Sequence, residues 1–406
     1  MVSQSKSILL LFTISLSIAS GRWGSWMGIP SRNVFIIDLL LVLCVFWSFK
    51  NRFISKDLLV AFFLGIYIVS QIIIYGQYSK SVVLRDLAPF IYLFIFVCLR
   101  SSALIIPHKL LFKYLRIATL FSLTWNLGRS LGVVGEFNIS GLTGVPVFSE
   151  RSDQFGFVAC IGIIVWTEKK FSYLFRPTAR NIIVLLFLLT VSLLPGRAGG
   201  IASLLSLIYL LVSRDLNKQK NRILARRAIY GLITVVLLGG IISNIFPDSS
   251  SLKRSGVIQG TESSRISGQG TINARIEAQK LVLKWTFENE LEVFGAGPGR
   301  EIILESGAYK WLSGSVDVRQ PHNWWVSLFS RFGFFGFFYW TFMVIYYLKP
   351  LKRANLMQPR IFILGAILIT STFGVILESP FGLIPFYFFL MRNRDDFSGV
   401  RQMPTR

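Results

Sequence analysis

Residues 323–348 read NWWVSLFSRFGFFGFFYWTFMVIYYL, and Arg331 is the only charge among them. A helix on the surface of a soluble protein is apolar along one stripe and charged on the other. This stretch is apolar all round and exceeds the roughly 20 residues that the hydrocarbon core of a bilayer demands. It reads as a transmembrane helix, and the rest of the chain repeats the pattern. Further candidate spans lie at 7–20, 33–49, 58–75, 87–99, 115–134, 154–167, 181–195, 198–213, 228–246, 361–377 and 380–391, making twelve.

Composition agrees. The 406 residues are 53% hydrophobic, 15% aromatic with 36 Phe, and only 16% charged. A soluble domain carries about 25% charge. The expected fold is therefore all-α, a polytopic integral membrane protein of about twelve transmembrane helices. A secreted domain, a disordered chain and a soluble nucleotide-handling enzyme are excluded. Cys44, Cys98 and Cys160 each lie within an apolar run at no metal-binding spacing, and read as packing residues.

The net charge of +23 would suggest nucleic acid in a soluble protein. Here it follows the membrane instead. With the N-terminus inside, 26 Lys and Arg fall on cytoplasmic segments. Only Arg22, Arg32, Lys80, Arg85, Arg129, Arg151 and Arg197 fall on short external ones. That bias is the positive-inside rule and places both termini in the cytoplasm. Residues 7–20 end in Ala19-Ser20, which also fits a cleaved signal peptide; cleavage would leave every later orientation unchanged.

The chain thus divides into residues 1–246 with helices 1–9, an external loop at 247–321, and 322–406 with helices 10–12 and a cytoplasmic tail. The loop is rich in Ser and Gly from Ser249 to Gly270. After that, Ala274, Ala278, Leu281, Val282 and Trp285 mark one apolar face of a helix, with Asn273 as its N-cap. Such a helix fits a cap over a membrane cavity, or one lying flat on the lipid interface. Gly295-Ala296-Gly297-Pro298-Gly299 reads as the turn ending it, because no strand precedes it and no Lys-Ser/Thr follows to make a phosphate loop.

Several residues could carry chemistry. His322, in Pro321-His322-Asn323, begins helix 10. A helix N-terminus disfavours the imidazolium, so a neutral His322 there could serve as general base; from position alone an interfacial His beside belt tryptophans is the plainer reading. Arg197, in a tight Pro-Gly-Arg-Ala-Gly-Gly turn, opens helix 8, where guanidinium and free backbone N–H groups could hold an anion; snorkelling to the surface is the other reading. Arg275 opens the loop helix, where a solvated charge is the plain alternative. Arg85-Asp86 either pair locally or line a polar cavity, and Glu378 is an isolated acid at membrane depth that could counter one of these arginines.

In this order, the Gly-Arg turn, the loop arginine, the Phe-Gly-Ala-Gly-Pro-Gly turn, the Pro-His-Asn motif and the aromatic helix around Arg331 resemble the bacterial O-antigen ligase and O-antigen polymerase superfamily. The motifs cover roughly residues 180–345. The resemblance implies glycosyl transfer without metal or cofactor on the outer face of the inner membrane. The donor would be an undecaprenyl pyrophosphate-linked glycan, and the acceptor a sugar hydroxyl. Ligases use lipid A core as acceptor; polymerases use another lipid-linked repeat. On this likeness Arg197 and Arg275 grip the pyrophosphate and His322 activates the acceptor. Asn323, Glu378 and Arg85 complete the substrate-binding set. Gly196 stands where members often carry Ser. With no paired carboxylates for a covalent step, transfer is expected to invert. A flippase or transporter of lipid-linked sugars is the alternative from another class. It should show broken helices and charges buried within spans.

Overall fold

The computed structural model describes residues 2–19, 28–29, 34–48, 55–101, 106, 108–131, 133, 152–167, 177–193, 197–212, 272–312, 321, 323–352, 359–373 and 376–391. Among them the fold is helical. The helices are α1 (Val2–Ala19), α2 (Ile36–Ser48), α3 (Ser55–Ile74), α4 (Lys80–Asp86), α5 (Ala88–Ser101), α6 (His108–Ser130), α7 (Ser152–Thr167) and α8 (Pro177–Leu193). They continue with α9 (Arg197–Val212), α10 (Ile272–Glu288), α11 (Ile302–Glu305), α12 (Tyr309–Leu312), α13 (Trp324–Lys352), α14 (Pro359–Phe373) and α15 (Pro380–Met391). A 3₁₀ turn, Ile376–Glu378, joins the last two, and the two-residue strands Gly28–Ile29 and Val34–Phe35 pair antiparallel.

Eleven of the twelve expected spans coincide with helices, and the remaining one, 228–246, lies outside the described residues. Length is where expectation and structure part. Lys56–Ile74 and Trp324–Leu348 are long and apolar enough to cross a membrane. The pair α4 and α5, bent by 64° between them, makes a third if taken as one span. The other apolar helices are shorter, and α15 shows why. Its 12 residues extend about 18 Å, against roughly 30 Å of hydrocarbon. Every one of them is buried, as expected of a helix apolar on all sides.

α15 is the hub of the core, packing against α5, α1, α14 and α13. A second group, α7 with α9, α14, α6 and α8, lies beside it. α3 is the opposite case, with Phe62, Phe63, Ile66, Ile73 and Ile74 all more than half exposed. An apolar face of that extent needs a lipid or protein partner. The three cysteines are buried, as their sequence context suggests. Arg116 lies within α6 and is buried: its Nε donates to the Val165 carbonyl at 3.2 Å and its guanidinium covers the Trp166 ring. Its apolar stem and stacking plane let it enter the bundle.

Polar bonds fix both ends of the central bundle. At one end, Arg100 reaches Asp57 at 3.3 Å, and Tyr347 donates to the same carboxylate at 3.4 Å. Arg100 also stacks on the Tyr347 ring and donates to the Met391 carbonyl, so α3, α5, α13 and α15 meet there. Toward the other end, Trp340 Nε1 donates to Tyr387 Oη at 2.7 Å, which donates to the Pro89 carbonyl at 2.7 Å. That chain sets the start of α5 against α13 and α15.

Candidate active site at a broken helix

The stretch that decides the fold is not one continuous helix. At Gly333 the backbone of α13 takes φ 61° and ψ −167°, a region essentially closed to other residues. The break frees backbone groups on either side, and these must find partners away from water. The turn after α10 supplies them. Ala296 and Gly297 N–H donate to the carbonyls of Ser330 and Arg331, both at 2.8 Å. Phe334 and Phe335 N–H donate to the carbonyls of Glu292 and Val293 at 2.7 and 3.0 Å. The glycine-rich segment therefore repairs the break in α13. It does not end the loop helix as expected, because α10 stops at Glu288 and is closed by Glu290 at φ 57° and by the Leu291 N–H donating to the Thr286 carbonyl at 3.0 Å.

Two residues before the break sits Arg331, 3% exposed. Its Nη1 donates to Asp86 Oδ2 at 2.6 Å and to the Arg300 carbonyl at 3.2 Å. Gly299 N–H donates to the same Asp86 oxygen at 2.9 Å. Asp86 thus binds helix and loop together from the end of α4, where the chain bends before Pro89. Proline in the first turn of α5 has no N–H to give, so the bend there leaves no orphan donor at that position.

Arg85, Asp86, Pro89, Trp324, Ser327, Leu328, Arg331, Phe332 and Glu378 line a narrow cavity. Arg85 Nε lies 3.8 Å from Asp86 Oδ1, so the local pair and the cavity wall that the sequence left open both exist. Glu378, in the turn between α14 and α15 and outside both helices, bonds the Ser327 hydroxyl. The residue is half-buried as a whole, but its Oε1 is sealed from solvent with no hydrogen-bond partner among the described residues. Burial pushes its carboxyl up to about 8, although Arg331, the Ser327 hydroxyl and Arg85 pull it down; Asp86 adds to the rise.

Above the cavity, Asn323 caps α13, its Oδ1 accepting from the N–H groups of Trp325 at 2.9 Å and Val326 at 3.4 Å. Asn323 Nδ2 donates to Gln279 Oε1 at 3.3 Å, and Gln279 Nε2 to the Pro321 carbonyl at 3.5 Å. These bonds seat the loop helix α10 on the segment at the start of α13. Arg275 lies one turn before Gln279 and hence on the same face of α10, half-buried. Ala278 and Val282 pack with Ala296, Ile302, Ile303 and Leu312 in a small core of the loop's own. The helix begins at Ile272, so Asn273 falls in its first turn and is not its cap.

Of the residues singled out by sequence, Arg85 and Glu378 share the cavity, Asn323 adjoins it, and Arg275 is carried to the segment above it. His322 lies outside the described residues, between Pro321 and Asn323. Arg197 is the first residue of α9, which packs on α7, α14 and α8. None of these forms the cavity wall, and the Arg197 side chain lies outside the description. Sequence reasoning did not single out Asp86 apart from its neighbour, or Arg331 as a site residue. The signal for Arg331 was its position as the lone charge in an aromatic span. Among the described residues no three His, Cys, Asp or Glu side chains cluster to hold a metal. No family model matches this chain, and no curated protein matches it.

Proposed function

We propose that this chain is a polytopic membrane glycosyltransferase of the O-antigen ligase and polymerase type. It moves a glycan from undecaprenyl pyrophosphate to a sugar hydroxyl on the outer face of a bacterial inner membrane, with both termini in the cytoplasm. The observation that carries the reading is the seating of α10 by Gln279 on Pro321 and Asn323, directly above a cavity lined by Arg85, Arg331 and Glu378. Guanidiniums at the edge of a partly dry cavity stabilise the charge that develops on a departing pyrophosphate, and a neutral imidazole at 322 supplies the base. The ion-pair cluster of Asp57 and Arg100 at the far end of the same helices fits the cytoplasmic side of this orientation.

Purified parent and His322→Ala proteins, given a lipid-linked glycan and candidate acceptors, test the proposal. Release of undecaprenyl pyrophosphate with a mass-resolved product is expected from the parent alone. Equal turnover by both, or none by a folded parent, overturns it. The lipid end of the product separates ligase from polymerase.

The transporter reading draws specific support from the break at Gly333 and the buried pair of Asp86 and Arg331. Movement of a lipid-linked sugar across proteoliposomes without chemical change would favour it.

A further inference from the structure

The hydrogen bonds that repair the break also set the depth of the loop. Asp57 and Tyr347 meet at one end of the bundle and give α3 and α13 a common level. Gly333 stands about 21 Å along α13 from Tyr347, at a rise of roughly 1.5 Å per residue. That falls short of the roughly 30 Å of hydrocarbon, and any tilt of the helix lowers it further. α3 gives the same answer. The Phe335 ring lies 6.2 Å from that of Tyr67, which is only about 15 Å along its helix from Asp57. A Cβ on Gly297 would overlap the ring of Tyr75, one residue past the end of α3. Residues 292–295, bonded to 333–335 through their backbones, therefore lie beside α13 within the depth of its span.

What this segment shows to its surroundings is apolar. Phe294 is 71% exposed, and Phe287 and Val293 are exposed with it. Their rings continue the outward face of α13. Phe294 lies 6.3 Å from Phe335, and Phe287 lies 5.8 Å from Phe329, which meets Phe334, itself stacked on Phe338. Phe334, Phe335, Phe338 and Phe342 are exposed along a helix long and apolar enough to cross a membrane. Polar groups fall elsewhere: Gly295 to Gly299 are buried, Glu292 Oε2 is sealed from solvent, and the exposed Glu288, Asn289 and Glu290 sit at the end of α10. Irregular backbone at membrane depth has to be hidden in protein, and the side chains it turns to lipid have to be apolar. We propose that Val293 and Phe294 form a wedge seated among phospholipid acyl chains, in the leaflet on the loop side of the membrane. Glu288 to Glu290 then stand at the level of the headgroups. Phospholipid is the partner because the backbone bonds fix the depth and the aromatic face is continuous with that of α13.

The inference rests on α3 and α13 crossing the membrane, and not on glycosyl transfer. The full-length parent is reconstituted in phosphatidylethanolamine and phosphatidylglycerol vesicles containing a phospholipid with a diazirine in its acyl chain, irradiated, and mapped by mass spectrometry. Carbene insertion at Val293 and Phe294 should match that at the exposed Phe62 and Phe338 and exceed that at Glu288 to Glu290 severalfold. A nitroxide on Phe294→Cys should favour collision with oxygen over a water-soluble nickel chelate severalfold more than one on Glu290→Cys; the native cysteines are buried. Insertion at Phe62 and Phe338 without insertion at 293–294 overturns the proposal, as does free access of the chelate to a label at 294. A label at 294 shielded from both reagents also overturns it: dipolar broadening between labels would assign the cover to a second copy, and its absence to another part of the chain. No insertion at Phe62 or Phe338 removes the wedge and the membrane-spanning reading together. Insertion at 293–294 in a parent that transfers no glycan leaves the wedge standing and removes the transferase.

Discussion

Gly333→Ala is the sharpest perturbation of this structure, because it acts on the break that the loop repairs. A Cβ at 333 would sit 2.3 Å from the Val293 carbonyl oxygen, 2.4 Å from its carbon and 2.6 Å from Gly295 N. All three are backbone atoms and cannot swing aside. The dihedral region alone costs an alanine about 1–3 kcal/mol. The alternative to overlap is to release the loop, losing four hydrogen bonds worth about 1 kcal/mol each, or roughly 4 kcal/mol together. The two routes are comparable in cost, so the variant should remain folded while its loop opens. A loss of about 3 kcal/mol corresponds to on the order of a hundredfold more open population. Hydrogen exchange resolved by mass spectrometry reads this directly, as faster exchange at Ala296, Gly297, Phe334 and Phe335 with little change in α15. Gly307→Ala is the control. Gly307 also has positive φ, at +70°, but its added Cβ meets nothing within 4 Å, so only the conformational cost of about 1 kcal/mol applies. Unchanged protection at those four amides in Gly333→Ala, or equal loss in Gly307→Ala, would refute the reasoning.

Asp86→Asn removes the charge from a pair whose side chains are 4% and 0% exposed, leaving Arg331 without this carboxylate. A loss of about 3–5 kcal/mol is expected in detergent unfolding, and Arg331→Met added to it should restore part of that; a double variant no more stable than the single one would count against the assigned pair. Asn323→Ala should cost about 1 kcal/mol and raise exchange at the Trp325 and Val326 amides, because the cap oxygen that accepts from both is gone. Unchanged exchange there would assign the cap to another group.

Helix positions were legible because apolar runs declare themselves whatever they pack against. Runs such as 380–391 and 361–377 are helices within a residue or a few of their expected bounds. What composition does not contain is which helices face lipid and which face protein. The run at 58–75 presents its phenylalanines outward, whereas 380–391 buries every residue, although both read simply as apolar. The site was legible in part for a related reason. Arg85, Glu378, Asn323 and Arg275 stood out as polar residues at the ends of apolar or amphipathic segments. Arg331 stood out only as the lone charge of an aromatic span; that Asp86 partners it, 245 positions away, leaves no local pattern. Nor does sequence show that a glycine in an aromatic run is a break; Gly333 and Gly336 stand three apart in the same stretch, and only Gly333 has a positive φ.

The break and the buried charge explain each other. A straight helix through residues 324–348 would satisfy its own backbone and give the loop turn no backbone groups to pair with. Once Gly333 interrupts it, the turn at 289–300 is drawn in by the freed groups, and Arg300 and Gly299 arrive beside Asp86. The same carboxylate that accepts from Gly299 then neutralises Arg331, which could not otherwise be held at 3% exposure without a severe desolvation cost. Seating the loop and stabilising the cation are therefore one event. Since α10 belongs to that loop and carries Arg275, the turn that repairs the helix also fixes where a second guanidinium stands relative to the segment at 321–323.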